Sequence, residues 1–478
     1  MIILNEIKLD KGKKEPLYKQ LYKGIKDLII DDKIEVNTKL PSIRETCKIF
    51  NVNSSTVVSA YNLLEKEGYV YKKTGSGTYI KNIDVDKTSD NRKNLDIIYD
   101  FQNLTADSKL FPVSEFKELM NIVIDRDGGS AFDYHQSIGY LPLRKVIKSH
   151  LEEKNIFTPL ESIQIISGTQ QGIDILSKTI LDYGDIVITE SPTYSGALYS
   201  FKSRSTKIVE IPVDRDGIDI TILEHKIKNF KPRVIYTMPN FQNPTGFSYS
   251  LNTMKKILEL AEKYNTYIIE DDYISDINFN NKKVRLLKSL DENNRVIYLK
   301  SFSKTFMPGI RLGFAVLPIK LSQNFLLGKH FSDISTSGFI QRIFELYLKE
   351  KKWDNHIKKL SSIYKMKYDL TKKYIKKYIP IDLRYYRPDG GLNFWFALPD
   401  GYSSKKLEIY LKEKGILISS GSRFYSSNND TEYFRINISS IEIKEIEKSI
   451  ILLFKYINKF IKNQNNKTLI HPINYFDF

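Results

Sequence analysis

The chain is 478 residues long, 41% hydrophobic and 12% aromatic, enough apolar material for two or three domains with a large core, which excludes a disordered or collagen-like protein. Its single cysteine, Cys47, excludes an internal disulfide framework and fits a reducing cytoplasm. The 73 Lys and Arg residues against 57 Asp and Glu leave a net charge of +16, and no apolar run reaches the length of a membrane span or signal peptide, so a soluble, cytoplasmic protein is expected.

Residues 1–81 carry 15 basic and 10 acidic side chains, a net of +5 that makes this stretch about twice as basic per residue as the remainder, a distribution permissive for nucleic acid. Within it, residues 14–81 read as a winged helix-turn-helix. Leu17, Leu21, Ile25, Leu28 and Ile29 recur at helical spacing. Ser42-Ile43-Arg44-Glu45 is a capping box, predicting a helix from after Pro41 to Phe50, with Cys47 on its apolar side. Asn53 can cap a third helix that points Val57, Tyr61 and Leu64 inward and ends at Gly68. Tyr69-Val70-Tyr71 and Thr78-Tyr79-Ile80, joined by Lys72-Lys73-Thr74-Gly75-Ser76-Gly77, read as a hairpin, the wing.

Residues 82–99 are polar and read as a linker. From 100 to 465 short β-branched runs alternate with longer amphipathic stretches. Candidate strands are 163–166, 186–189, 234–237, 267–269, 295–299 and 313–317, an alternation that predicts an α/β fold with a mainly parallel sheet over about 130–345. Residues from about 346 to 465 read as a smaller α+β part with Lys-rich helices. The tail from Asn463 to Phe478 has no assignable element.

Ligands of an open parallel sheet gather at the carboxyl ends of its strands. Four motifs fall there in this chain: Ser167-Gly168-Thr169-Gln170, Asn240-Phe241-Gln242-Asn243-Pro244-Thr245-Gly246, Glu270-Asp271-Asp272-Tyr273 and Ser301-Phe302-Ser303-Lys304. Small polar residues opening a helix suit a phosphate, and a lysine amine can condense with an aldehyde. None of the six histidines, His135 among them, has a partner at metal-ligand spacing, so no metal is expected.

With these motifs on the page, residues 100–460 resemble a fold-type I aminotransferase domain that binds pyridoxal 5'-phosphate (PLP), and residues 14–80 resemble a GntR-type winged helix. The combination resembles the MocR group of transcription regulators. The resemblance implies that Lys304 bonds covalently to PLP, that Asp271 pairs with the pyridine nitrogen, and that Asn243 and Tyr273 bond its phenolic oxygen. It implies that Thr169, Gln170, Ser301, Ser303 and Arg311 hold the phosphate, that Tyr194 lies against the ring, and that Tyr134 reaches the phosphate of the other subunit in a domain-swapped homodimer. Arg435, in Tyr433-Phe434-Arg435-Ile436-Asn437, matches the arginine that binds an amino acid's carboxylate. Ser42, Arg44, Ser54, Ser55 and Thr56, with Lys72, Lys73 and Gly75 on the wing, match positions that meet a double-stranded DNA operator. The function so implied is a PLP-dependent regulator that senses an amino acid or amine, or PLP itself, through external aldimine formation. The residues leave open a second reading, an active aminotransferase with an appended DNA-binding module.

Overall fold

The computed structural model describes residues 15–30, 38–73, 76–80, 97–105, 107–279 and 284–468, with isolated positions 4, 7, 9, 10, 12 and 34. The chain divides into two units, Met1–Asn94 and Leu95–Phe478.

In the first unit three helices, α1 (Leu17–Ile30), α2 (Ile43–Phe50) and α3 (Ser54–Lys66), precede the hairpin β1 (Val70–Lys73) and β2 (Gly77–Ile80). The sequence decides each helix end. Ser42 Oγ accepts from the Glu45 amide while the Glu45 carboxylate accepts from the Ser42 amide, and Asn51 turns the chain at φ 48°. Asn53 caps α3 through the Thr56 amide, and Gly68 leaves it at φ +82°. Leu21, Ile25, Leu28, Val57, Ala60 and Leu64 form the core with Val70 and Ile80 of the hairpin, and Cys47 packs half-buried at its edge. Tyr61 ties α3 to α2 through Pro41 O (2.9 Å) and Thr46 Oγ1 (2.8 Å). In the hairpin Val70 faces Ile80 and Lys73 faces Gly77.

The second unit opens with β3 (Tyr99–Asp100), α4 (Val113–Asp127) and α5 (Leu141–Glu152). An alternating series follows: β4 (Ile163–Ile166), α6 (Thr169–Thr179), β5 (Ile186–Ser191), α7 (Ser195–Lys202), β6 (Lys207–Asp214), β7 (Gly217–Ile218), α8 (Ile220–Phe230), β8 (Val234–Thr237), α9 (Leu251–Lys263), β9 (Tyr267–Asp272), β10 (Val296–Ser301) and β11 (Gly313–Val316). These strands make one eight-stranded sheet in the order β4-β11-β10-β9-β8-β5-β6-β7. Six run the same way, whereas β11 is antiparallel to β10 and β4, and β7 turns back on β6. β11 is reversed because only the segment 302–312 separates it from β10, and it holds no crossover helix of the kind a parallel return needs. Alternate residues serve opposite faces: Ile297 and Leu299 join one core, Val296 and Tyr298 the cores on the other side.

Beyond the sheet lie α10 (Ile319–Asp333), α11 (Gly338–Lys349) and the long α12 (Lys352–Tyr378). A smaller lobe adds β12 (Arg384–Tyr386), β13 (Asn393–Ala397), α13 (Ser404–Glu413), β14 (Ile416–Leu417), β15 (Ser419–Ser420), β16 (Tyr433–Asn437) and α14 (Ile446–Thr468). Its sheet has the order β12-β13-β16-β15.

Three expectations are corrected. The linker expected over 82–99 ends earlier, because the amides of Ile98 and Tyr99 donate to Gly415 O and β3 pairs in parallel with β14; residues 82–96 lie outside the described residues. The segment after β3 belongs with the C-terminal lobe, since Asn437 N donates to Phe101 O and Ser439 Oγ to Asn103 O. The tail of the sequence reading is helical as far as Thr468, and 469–478 lie outside the described residues.

The capping box gives a test. Replacing Ser42 with Ala removes one of two reciprocal bonds and costs about 1 kcal/mol of local stability. Amide hydrogen exchange in 43–50 is expected to quicken about fivefold in Ser42→Ala and to stay near wild type in Ser42→Asp.

Candidate functional site

The site assembles where the parallel strands end. β4 runs into Ser167 and Gly168, and Gly168 holds φ +96° at the start of α6 without a side-chain cap, so the first amides of α6 are left to a ligand. A Cβ at Gly168 would meet Arg311 Nη2 at 2.9 Å. Arg311 sits in the left-handed region at φ 50°, donates to Ser167 O at 2.9 Å and approaches Ser303 Oγ at 3.5 Å. Ser301 Oγ accepts from the Ser303 amide at 3.2 Å. Glycine backbone, a helix start, two serines and a guanidinium thus form a cradle fitted to a phosphate.

The Gln170 side chain is turned away from ligand duty. Its Nε2 donates to Gly196 O and Ser200 Oγ, and its Oε1 accepts from Tyr194 OH at 3.0 Å. Gln170 therefore fixes the Tyr194 ring, and any phosphate contact it makes comes from its backbone.

Adjacent aspartates on β9 face opposite ways. Asp271 Oδ2 accepts from Tyr236 OH at 2.7 Å, while its Oδ1 is buried without a hydrogen-bond partner. Burial, opposed by the Tyr236 bond, pushes the Asp271 carboxyl up to about 7. Such an oxygen is suited to accept an N–H from a cationic ring. Asp272 is engaged on the other face, accepting from Tyr298 OH (2.6 Å), Lys300 Nζ (3.0 Å) and the Ser275 amide (2.9 Å). Lys300 also pairs with Asp276 at 2.8 Å, and Lys154 closes on Asp276 at 2.6 Å. Of the two, Asp271 has an oxygen without a protein partner, whereas Asp272 is engaged by Tyr298, Lys300 and Ser275.

Lys304 follows β10. Burial, then the Arg435 and Arg311 cations, pull its ammonium down to about 8. Arg435, on β16, is buried; its Nη1 donates to Asn243 Oδ1 at 2.9 Å, and its Nη2 to Gln102 O at 2.9 Å and Ser419 Oγ at 3.0 Å. It lies 5.1 Å from the Phe424 ring centroid. Tyr273 donates to Phe241 O and accepts from Asn393 Nδ2, so its proton points at the backbone and not into the space expected for a phenolic oxygen. Tyr134 is 86% exposed.

The first unit presents its own surface. Ser42 and Arg44 are exposed on α2, Ser54 and Ser55 on α3, and Lys72 and Lys73 on β1. Ser55 Oγ and Thr56 Oγ1 donate to Asn53 Oδ1 (2.9 and 2.6 Å), so both hydroxyls serve the helix cap. Lys72 is paired with Glu65 at 2.6 Å. Gly75 lies outside the described residues.

Sequence reading passed over several residues that the geometry makes central. Glu190 is fully buried and accepts from Thr237, Met238, Gln242 and Tyr249, locking the loop that carries Asn243. Tyr236, Lys300 and Asp276 were also missed. The available signal was a lysine, Lys300, inside an otherwise apolar central strand, since a buried ammonium requires carboxylate partners. Among the described residues no cluster could hold a metal, and no helix is long and apolar enough to cross a membrane.

Fold and site together define a fold-type I aminotransferase domain on a chain that begins with a winged helix-turn-helix. Residues 102–450 match aminotransferase class I and II, and residues 17–80 match the bacterial regulatory proteins of the gntR family. The chain belongs to the class I and II aminotransferase family, in the MocR-type branch that joins this domain to a GntR helix-turn-helix, and its cofactor is PLP. It is 30% identical over 359 residues to aromatic-amino-acid aminotransferase 1 of Thermococcus litoralis, covering 74% of this chain and 86% of that one. It is 29% identical over 446 residues to the uncharacterized HTH-type transcriptional regulator YcxD of Bacillus subtilis, covering 92% of this chain and 99% of that one. Among solved structures, Pyrococcus horikoshii kynurenine aminotransferase, crystallised with PMP, is 29% identical with a TM-score of 0.73, covering 77% of this chain and 92% of that chain.

The charge network behind the site is testable. Lys300→Met leaves buried Asp272 without its cation and takes one of two from Asp276, and is expected to destabilise the unit by about 3–5 kcal/mol, lowering Tm by about 5 °C in a calorimetric scan. Exposed Lys359→Met is expected to leave Tm within about a degree.

Proposed function

We propose that the chain is a transcription regulator that binds a double-stranded operator through its winged helix and reads an amino acid or amine through PLP held in its aminotransferase-like domain. What carries this reading is one polypeptide bearing both a capped, complete helix-turn-helix with its wing strands and an intact cofactor-type site. Coverage supports it: the regulator YcxD aligns along 92% of the chain, the aminotransferase relative along 74%.

When bound, PLP supplies an aldehyde open to primary amines and an electron-withdrawing ring. In this reading Lys304 is its covalent anchor, and the lowered pKa makes about a tenth of the amine neutral and nucleophilic at pH 7, far more than an ordinary lysine offers. The open Oδ1 of Asp271 holds the ring nitrogen, and Tyr194 flanks the ring. Asn243 and Tyr273 border the phenolic oxygen, Tyr273 after releasing its proton from Phe241 O. Thr169, Gln170 through its backbone, Ser301, Ser303 and Arg311 hold the phosphate. Tyr134 completes that cradle from the second chain of a homodimer, a role to which its exposure is suited. Arg435 receives the effector's carboxylate.

That last contact offers a route for the signal. A guanidinium has five N–H groups; at Arg435 one of the Nη1 pair serves Asn243 and both of Nη2 serve Gln102 and Ser419, while Nε is buried without a partner. A carboxylate binding in bidentate fashion displaces at least one protein acceptor, and Gln102 O lies on the stretch by which the chain enters this unit from the linker. The second reading, sustained transamination, is favoured by Lys304, whose pKa near 8 suits a proton shuttle.

Both are separated by one experiment. Fluorescence anisotropy on a duplex selected from a random pool is followed while each of the twenty amino acids is added, with keto acid assayed in parallel. A regulator shifts DNA affinity without accumulating keto acid; an enzyme releases keto acid over many turnovers. Lys304→Ala is expected to bind DNA but lose the amino-acid response, and Arg435→Ala to keep its cofactor but lose at least tenfold in effector affinity.

The lowered lysine also fixes a pH dependence. Its neutral, reactive form predominates above about 8 in place of 10.5. The rate of PLP uptake by cofactor-free protein is therefore expected to rise with pH and level off just above 8, with an upward-shifted midpoint in Arg435→Ala.

A further inference from the structure

The outward face of α3 is made of Ser54, Ser55, Val58, Ser59 and Asn62, while Val57, Ala60, Tyr61 and Leu64 point into the core. Bidentate recognition of guanine requires arginine or lysine, and of adenine asparagine or glutamine. Among its described side chains this face has no arginine, lysine or glutamine, and its asparagine, Asn62, accepts from Lys72 Nζ at 2.8 Å. The Ser55 hydroxyl donates to Asn53 Oδ1, as does that of Thr56 beside it. In the middle of the face stands Val58, an apolar side chain 37% exposed on a helix whose own core is already complete. Exposed Lys39, Arg44 and Lys48, with Lys73 on β1, give this end of the unit the charge a phosphate backbone seeks.

We infer that Val58 is a specificity-determining residue, packing its methyl groups against the C5-methyl of a thymine in the operator's major groove. The occupant is DNA and not an apolar protein surface because the same helix-turn-helix exposes Lys39, Arg44, Lys48 and Lys73, charges that a phosphate backbone attracts and an apolar partner does not. Backbone contacts set the register, and apolar contact with a thymine methyl supplies sequence information where long hydrogen-bonding side chains are missing. This inference rests on the DNA-binding reading above.

The test uses the full-length, PLP-loaded protein. An operator is selected from a random 30-base-pair pool, each thymine is replaced singly by deoxyuridine, which lacks only the methyl, and binding is titrated by anisotropy. At one thymine per half-site the replacement is expected to weaken binding about fourfold, the loss from uncovering one methyl group. In Val58→Ala, an exposed change to a better helix former, that sensitivity is expected to vanish while other base preferences persist. An enriched operator in which no thymine is sensitive, or whose sensitivity survives in Val58→Ala, overturns the inference and leaves DNA binding standing. A pool that fails to enrich overturns the DNA-binding reading and this inference together.

Discussion

Asp271 and Asp272 are adjacent in sequence and must be opposite in space, because successive residues of a strand face opposite sides of the sheet. The register Leu299↔Asp271 and Lys300↔Asp272 sets Lys300 beside the second carboxylate. Burial works to raise Asp272, yet the Lys300 ammonium holds it below the ordinary carboxylate range. With Asp272 neutralised on the far face, Asp271 is the carboxylate presented to the site, carrying one oxygen unclaimed by the protein. A slip of one residue would exchange the two and abolish the site. The buried lysine–carboxylate chain is thus a device for orientation more than for stability, since burying such groups gains little net energy.

The cations follow from what the site must hold. Arg311 and Arg435 both act on the Lys304 ammonium, and among the described residues no carboxylate forms an ion pair with it. Mutual repulsion and burial depress the lysine, while the arginines are held by neutral acceptors: Ser167 O, Ser303, Asn243, Gln102 O and Ser419. Neutral acceptors orient a guanidinium without cancelling its charge, so both arginines remain able to attract an anion.

Much of this was legible from residue types whose local chemistry admits one solution. The Ser42 capping box, the Asn53 cap, the Gly168 turn and the Ser-x-Ser-Lys strand exit are short-range devices, and the structure contains each of them. What escaped depended on long-range partners. β6 was passed over because Lys207, Glu210 and Pro212 dilute its apolar pattern, a composition a near-edge strand tolerates. Glu190 has one local partner, Thr193, but gave no sign of the four that come from 47 to 59 residues further on. The Ser55 and Thr56 hydroxyls looked available until Asn53 was seen to hold both.

Connectivity then limits how a ligand could speak to the operator-binding unit. A ligand shifts an equilibrium only by its difference in affinity for two states. On the proposal that Arg435 receives a ligand's carboxylate, that difference has a concrete source, because the carboxylate and Gln102 O call on the same Nη2. One charge-assisted hydrogen bond is worth about 1.5–3 kcal/mol, the range in which allosteric coupling energies fall. β3, two residues upstream of Gln102, pairs Tyr99 with Ile416 and Asp100 with Leu417, and the amides of Ile98 and Phe101 lengthen that ladder through Gly415 O and Leu417 O. On the reading proposed for Arg435, an exchange there works against this ladder before it reaches the linker.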